Sequence, residues 1–151
     1  MKTLRTLFET PYISPFEPDH GAIMIENVKK EVLETLLDAL PVEFSFIDEN
    51  DEVRLFNKDG DRIFPRPRSV IGRRVQDCHP KKSLHKVQQI LDEMKAGTRD
   101  DAEFWIDHRG MKVYIRYFAV RDKARKYLGC LEVSQDITDI QKIKGEKRLL
   151  L

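Results

Sequence analysis

Three segments near the end of the chain limit its fold more than any other feature. Residues 102–107, 112–121 and 127–134 are rich in Val, Ile, Phe, Tyr and Trp, the residues that suit a half-buried pleated surface. Only short polar stretches part them. His108-Arg109-Gly110 turns the first segment into the second, and residues 122–126 turn the second into the third without a glycine. Two more strand-like segments come earlier. Glu43-Phe44-Ser45-Phe46-Ile47-Asp48 alternates apolar and polar residues, and Val53-Arg54-Leu55-Phe56 follows a turn at Asn50-Asp51, so the two read as a hairpin.

The stretch between these groups cannot be one long helix. Its prolines hold Phe64-Pro65-Arg66-Pro67-Arg68 extended, and Gly72 marks another bend. Pro80 suits the first residue of a helix, whose stripe of Leu84, Val87, Ile90, Leu91 and Met94 runs to Gly97. A second amphipathic helix is predicted over residues 23–41, with Val28, Val32, Leu33, Leu36, Leu37 and Leu40 on one side and Pro41 closing it. Ile137, Ile140 and Ile143 predict a helix leaving the last strand and fraying at Lys144-Gly145, within a tail of residues 139–151. Pro11, Pro15 and Pro18 make residues 1–22 an irregular arm. Two runs of strands around a helical insert argue an α+β fold with an antiparallel sheet.

A chain of 151 residues suits one domain with a short extension. Its 27 basic and 26 acidic residues give a net charge of +1, which demands neither nucleic acid nor an anionic membrane. The charge is uneven. Arg62, Arg66, Arg68, Arg73, Arg74, Lys81, Lys82 and Lys86 face a single acid, Asp77, in the same stretch. Such a cluster can receive a carboxylate or phosphate, although charge runs are usually solvated faces. No groove-reading motif accompanies it. The cysteines, Cys78 and Cys130, have neither disulfide-framework nor zinc spacing, which fits a reducing cytosol. No apolar run approaches the ~20 residues of a membrane span. Signatures of a P-loop, a GxSxG serine nucleophile, an HExxH zinc site and a dinucleotide fold are missing, so a catalytic role is not expected.

Two stretches carry a family resemblance. Leu40-Pro41-Val42 through Asp48-Glu49-Asn50 resembles the opening strand of a PAS domain after its leading helix. Tyr127-Leu128-Gly129 through Asp136-Ile137-Thr138-Asp139-Ile140 resembles the exit of such a domain. Arg62 to Arg73, then Cys78-His79-Pro80, is similar to the PAS subgroup at the end of hemerythrin-type prokaryotic proteins, and Glu103–Ile106 and Tyr114–Val120 fit the same subgroup. The iron-binding set of a hemerythrin domain is not in this chain. The resemblance implies a five-stranded antiparallel sheet with short helices on one face and flanking terminal helices, the domain itself spanning residues 42–138. It also implies a cytoplasmic sensory or regulatory module. Such a module binds a small-molecule ligand, or pairs as a homodimer and relays state to a partner protein domain.

The expected ligand-binding residues are Cys78, His79, His85, Phe56, Phe64, Arg66, Trp105 and Tyr117. His79 can ligate haem iron through a neutral imidazole. Cys78 precedes a helix N-terminus, where a thiolate is favoured. The plainer reading makes Cys78 a small buried residue and His79 a helix cap. His85 stands six residues from His79, which is not one face of a helix, so no two-histidine metal clamp is expected. The aromatics Phe44, Phe46, Phe56, Phe64, Trp105, Tyr114, Tyr117 and Phe118 can line a cavity but are first of all core. On the longest strand Val113, Ile115, Tyr117 and Ala119 share one face, and Tyr114, Arg116, Phe118 and Val120 the other. Asp107-His108 is expected to lie exposed at its turn. Without a ligand, the sheet would serve as a docking surface alone.

Overall fold

The computed structural model describes residues 27–149; the predicted arm of residues 1–22 and the start of the predicted leading helix lie outside them. The elements are α1 (Lys30–Ala39), β1 (Glu43–Asp48), β2 (Val53–Phe56), α2 (Lys81–Ala96), β3 (Asp101–His108), β4 (Met111–Arg121) and β5 (Tyr127–Asp136). Three short 3-10 turns, Arg68–Val70, Val75–Cys78 and Ile140–Lys142, complete them. All pairings in the five-stranded sheet are antiparallel, in the order β2-β1-β5-β4-β3. The last strand therefore lies at the centre, against the first. The α+β fold and the division into strands follow the sequence pattern closely.

Strand parity decides what faces what. Ile47, Cys130, Val113, Ile115 and Tyr117 point to one face, where Val75 and the Val87, Leu91 and Met94 stripe of α2 cover them. This inner face is the core, and each fully buried Leu or Met there contributes about 1.5–3 kcal/mol. The far end of α2 is fastened by Arg121, which is almost fully buried. It donates to the Met94 carbonyl (2.7 Å) and to Asp100 Oδ1 (2.9 Å). Gly97 then ends the helix in the left-handed conformation, φ 78°.

The turn at 122–126 needs no glycine because Asp122 Oδ1 accepts the Lys126 N–H (2.9 Å) while Arg125 takes the left-handed position. Gly129 has a different reason. Its φ is +152°, and a Cβ there would stand 2.1 Å from the Ile47 carbonyl oxygen and against the Phe46 ring. The closing motif is a lock. Asp136 Oδ1 accepts the Thr138 N–H (2.9 Å), and Thr138 Oγ1 accepts the Lys112 N–H (2.8 Å), fixing the exit of β5 to the start of β4.

Three details differ from the sequence pattern. Beyond Asp136 the structure forms one 3-10 turn instead of a longer helix. Ile140 and Ile143 are exposed there, and a short unpacked helix is marginal in water. The described part of α1 buries none of its residues fully, and Val32, Leu36 and Leu40 are exposed. Polar ties hold it: Asn57 Nδ2 donates to the Leu37 carbonyl (3.0 Å) and the Lys58 N–H to Asp38 Oδ1 (3.0 Å). His108, expected in solvent, is half-buried, its ring 5.1 Å from that of Phe64.

Candidate functional site

The inner face is not apolar throughout. Register places Glu43 beside Ser134, and Ser45 beside Glu132, on the side that also carries Ile115 and Tyr117. All four polar residues are buried. Two buried carboxylates need partners, since an unpaired buried charge costs several kcal/mol. The segment after β2 supplies them. Arg62 Nη2 stands 3.6 Å from Glu43 Oε2, and Arg66 Nη2 is 2.8 Å from Glu132 Oε2. Glu43 also accepts the Ile63 N–H. The proline-rich segment thus crosses the sheet on two Arg–Glu pairs, and its prolines leave few backbone donors to satisfy.

Between this segment, the Val75–Cys78 turn, the start of α2 and the sheet lies a cavity of about 360 Å3. Its walls are mostly apolar: Phe64 and Pro65 above, Val87 of α2, and Phe104, Ile106, Ile115 and Tyr117 of the sheet. Phe104 stacks on Tyr117 with ring centroids 5.9 Å apart, and His108 packs tilted against Phe64 at 5.1 Å, so each aromatic wall residue has a ring neighbour. Five polar or thiol-bearing residues also line it: Arg66, Glu132, His79, Ser83 and Cys78. This is the usual form of a small-molecule site, with an apolar body and few polar contacts.

His79 does not cap α2; Pro80 takes that place, without a side-chain bond. Its Nδ1 lies 3.0 Å from the Val75 carbonyl oxygen. A carbonyl only accepts, so Nδ1 carries the proton in the neutral ring and Nε2 is left as a bare acceptor. The Cys78 thiol is half-buried and donates to the Arg74 carbonyl (3.6 Å). Cys130, beneath the core, is fully buried, and burial pushes its thiol up to about 12. Burial, reinforced by the charge of Glu132, raises the Tyr117 hydroxyl well above the ordinary tyrosine value and keeps it protonated.

Of the residues expected from sequence, the cavity brings together Cys78, His79, Phe64, Arg66 and Tyr117. It does not include the other three. His85 is exposed on α2. Phe56 lies half-buried beneath Arg62, whose guanidinium sits 5.4 Å from its ring centre. Trp105 has the outward parity of β3 and is 63% exposed. The basic cluster divides: Arg62, Arg66 and Arg68 pair with Glu43, Glu132 and Asp59, while Arg73, Arg74, Lys81, Lys82 and Lys86 are exposed. Glu132 was the residue that sequence reasoning missed. Its inward parity with Cys130 was the available signal, masked by Leu131 and Val133, which look more like core. A second, more open cleft of similar volume, lined by Lys58, Arg62, Gln135 and Asp136 among others, holds none of the expected residues.

A family model described as PAS domain matches residues 33–138. The chain belongs to the PAS domain family. Among solved structures this PAS domain is similar to a C-terminal domain from Streptococcus mutans, at 34% identity over 76% of this chain and 89% of that one, TM-score 0.70. It shares its fold with the PAS domain of BvgS from Bordetella pertussis (19% identity, 74% of this chain and 88% of that one, TM-score 0.56). It also shares it with a sensory box sensor histidine kinase from Vibrio cholerae (13% identity, 72% and 90%, TM-score 0.51). A search of the curated proteins found no match. A PAS domain is a sensory module, and such domains occur in sensor histidine kinases and other signalling proteins. No helix among the described residues is long and apolar enough to cross a membrane.

Proposed function

We propose that this PAS domain senses a small molecule held between the sheet and α2, and relays its presence to a partner. The cavity of about 360 Å3, lined mostly by apolar and aromatic residues with a few polar ones, carries this reading. Ligand pockets run from about 300 to 1,000 Å3, so the space suits a metabolite of one or two rings. A filled cavity acts on signalling only through its different affinity for two states of the domain. The walls belong to different elements: α2 is clamped by Arg121 at its far end, while its first turn borders the cavity.

Thermal-shift screening of the full chain against a metabolite set tests this. Ligands are expected to raise Tm in the native chain and not in Ser83→Trp, which fills the mouth. Equal shifts in both, or none in either, speak against it.

Haem is the second reading, because His79 offers a bare Nε2 with its Nδ1–H anchored on a carbonyl, the arrangement of an axial ligand. The cavity is too small for a porphyrin without displacement of α2, so this reading ranks below a metabolite. An absorption spectrum with added haem that lacks a His79-dependent Soret shift removes it. Pairing of two copies through the outer face of the sheet is supported by the exposure of Trp105, Phe118 and Leu55. A structural neighbour of like fold, Vibrio cholerae VqmA, is described as a dimer. Light scattering showing a monomer at high concentration rules pairing out. The likeness of Arg62–Arg73 to the subgroup of hemerythrin-type proteins is a proposal of the same rank. So is a ligand-free docking role for the sheet in the cytoplasm.

A further inference from the structure

The chemistry of the occupant follows from which polar atoms the cavity leaves without partners. This inference rests on the cavity reading above. The wall holds one cation and one anion, Arg66 and Glu132, and they already bind one another at 2.8 Å. Among the described residues, Glu132 Oε1 and the Nε2 of a neutral His79 make no protein hydrogen bond and are acceptors, while Arg66 Nε is buried without a partner and is a donor. The Tyr117 hydroxyl, also without one, adapts to either role.

We propose that the ligand is an uncharged, ring-shaped molecule that donates a hydrogen bond to the Glu132 and His79 acceptors and has room to accept one from Arg66 Nε. The aromatic lining, Phe64, Phe104 and Tyr117, suits an apolar ring as the body. The Arg66–Glu132 pair sets the charge. A carboxylate entering the cavity must share the one cation, Arg66, with Glu132 or pull it away, so that two anions face a single positive charge. Either leaves a buried anion unmatched, at a cost of roughly a hundredfold or more in affinity. The exposed cations near the mouth, Lys81 and Lys82, do not reverse this. They are solvated, and salt screens them beyond about 8–10 Å. Glu132 is thus the specificity-determining residue, and it rejects anions as well as accepting donors.

Three probes of one ring system test the claim by calorimetry on the full chain: indole, which donates one N–H; 1-methylindole, which donates none; and indole-2-carboxylate, which is an anion. Indole is expected to bind about tenfold more tightly than 1-methylindole, with no detectable binding of the carboxylate. In Glu132→Gln, which frees Arg66, the order is expected to reverse in favour of the carboxylate. Indole carries one N–H, so in His79→Ala it is expected to weaken by up to about tenfold, to the affinity of 1-methylindole where His79 is its acceptor, with 1-methylindole unchanged; the comparison of the three probes in the native chain decides if Glu132→Gln does not fold. Equal binding of indole and 1-methylindole, or tight carboxylate binding by the native chain, overturns the assignment and leaves the cavity reading standing. If no probe binds the native chain or either variant, both fall.

Discussion

The two faces of the sheet invert the usual arrangement. The inner face, covered by α2 and the proline-rich segment, buries Glu43, Glu132, Ser45 and Ser134. The outer face leaves Trp105, Phe118 and Leu55 exposed, although it buries Phe44 and Val133. Charges therefore sit under cover and aromatic rings face solvent. The arginine pairs make the covered charges tolerable, and a stable core alone would not call for them. Replacing a buried ion pair by apolar residues is often neutral or stabilising. Burial on the inner face thus comes with ion pairing, whereas the outer face leaves aromatic rings uncovered.

The contrast can be broken most strongly at Glu132. Glu132→Ala strands Arg66 and is expected to cost about 3–5 kcal/mol by denaturant titration, whereas the double change Arg66→Met with Glu132→Met is expected to be nearly neutral. A double variant as unstable as the single one would make the pair structural. Next comes Gly129→Ala, where β5 passes closest to β1. The added Cβ meets the Ile47 carbonyl, and a loss of about 2–4 kcal/mol in chemical unfolding is expected.

A smaller effect is expected at Asp48, in the hairpin beside the inner core. Burial raises its pKa, but the hydrogen bond from Arg54 and those from the Glu52 and Asn50 N–H groups outweigh it and hold the carboxyl below 3.8. The folded value lies below the unfolded one. The carboxylate therefore stabilises the fold above about pH 4, and that contribution fades as pH falls through the folded value. Asp48→Asn is expected to lose about 1 kcal/mol at pH 7, with the two melting curves converging toward pH 2. The smallest change belongs to the outer face. Trp105→Ser is expected to shift dilute stability by less than about 0.5 kcal/mol. Its sedimentation profile at high concentration is the sharper readout, because loss of self-association there identifies the face as the pairing surface.

Much of the fold was legible in local pattern. Alternation and β-forming residues located all five strands, and the stripe from Leu84 to Met94 located α2. The site was legible in part. Phe64, Arg66, Cys78, His79 and Tyr117 were named from type and neighbourhood, yet Trp105, the largest aromatic, points away, because its parity along β3 is outward. Parity was readable once the inner face was known, but the choice between two faces that both carry apolar bulk was not.

What the sequence determined by itself is whatever depends on near neighbours along the chain: strand and helix periods, the stops at Pro41 and Gly97, and the local Asp136–Thr138 turn. The tertiary structure alone decided that β5 lies between β1 and β4, so that Glu132 arrives beside Ser45 and beneath Arg66. The physical reason is separation. Arg66 and Glu132 are 66 residues apart, and only closure of the sheet brings their charges together.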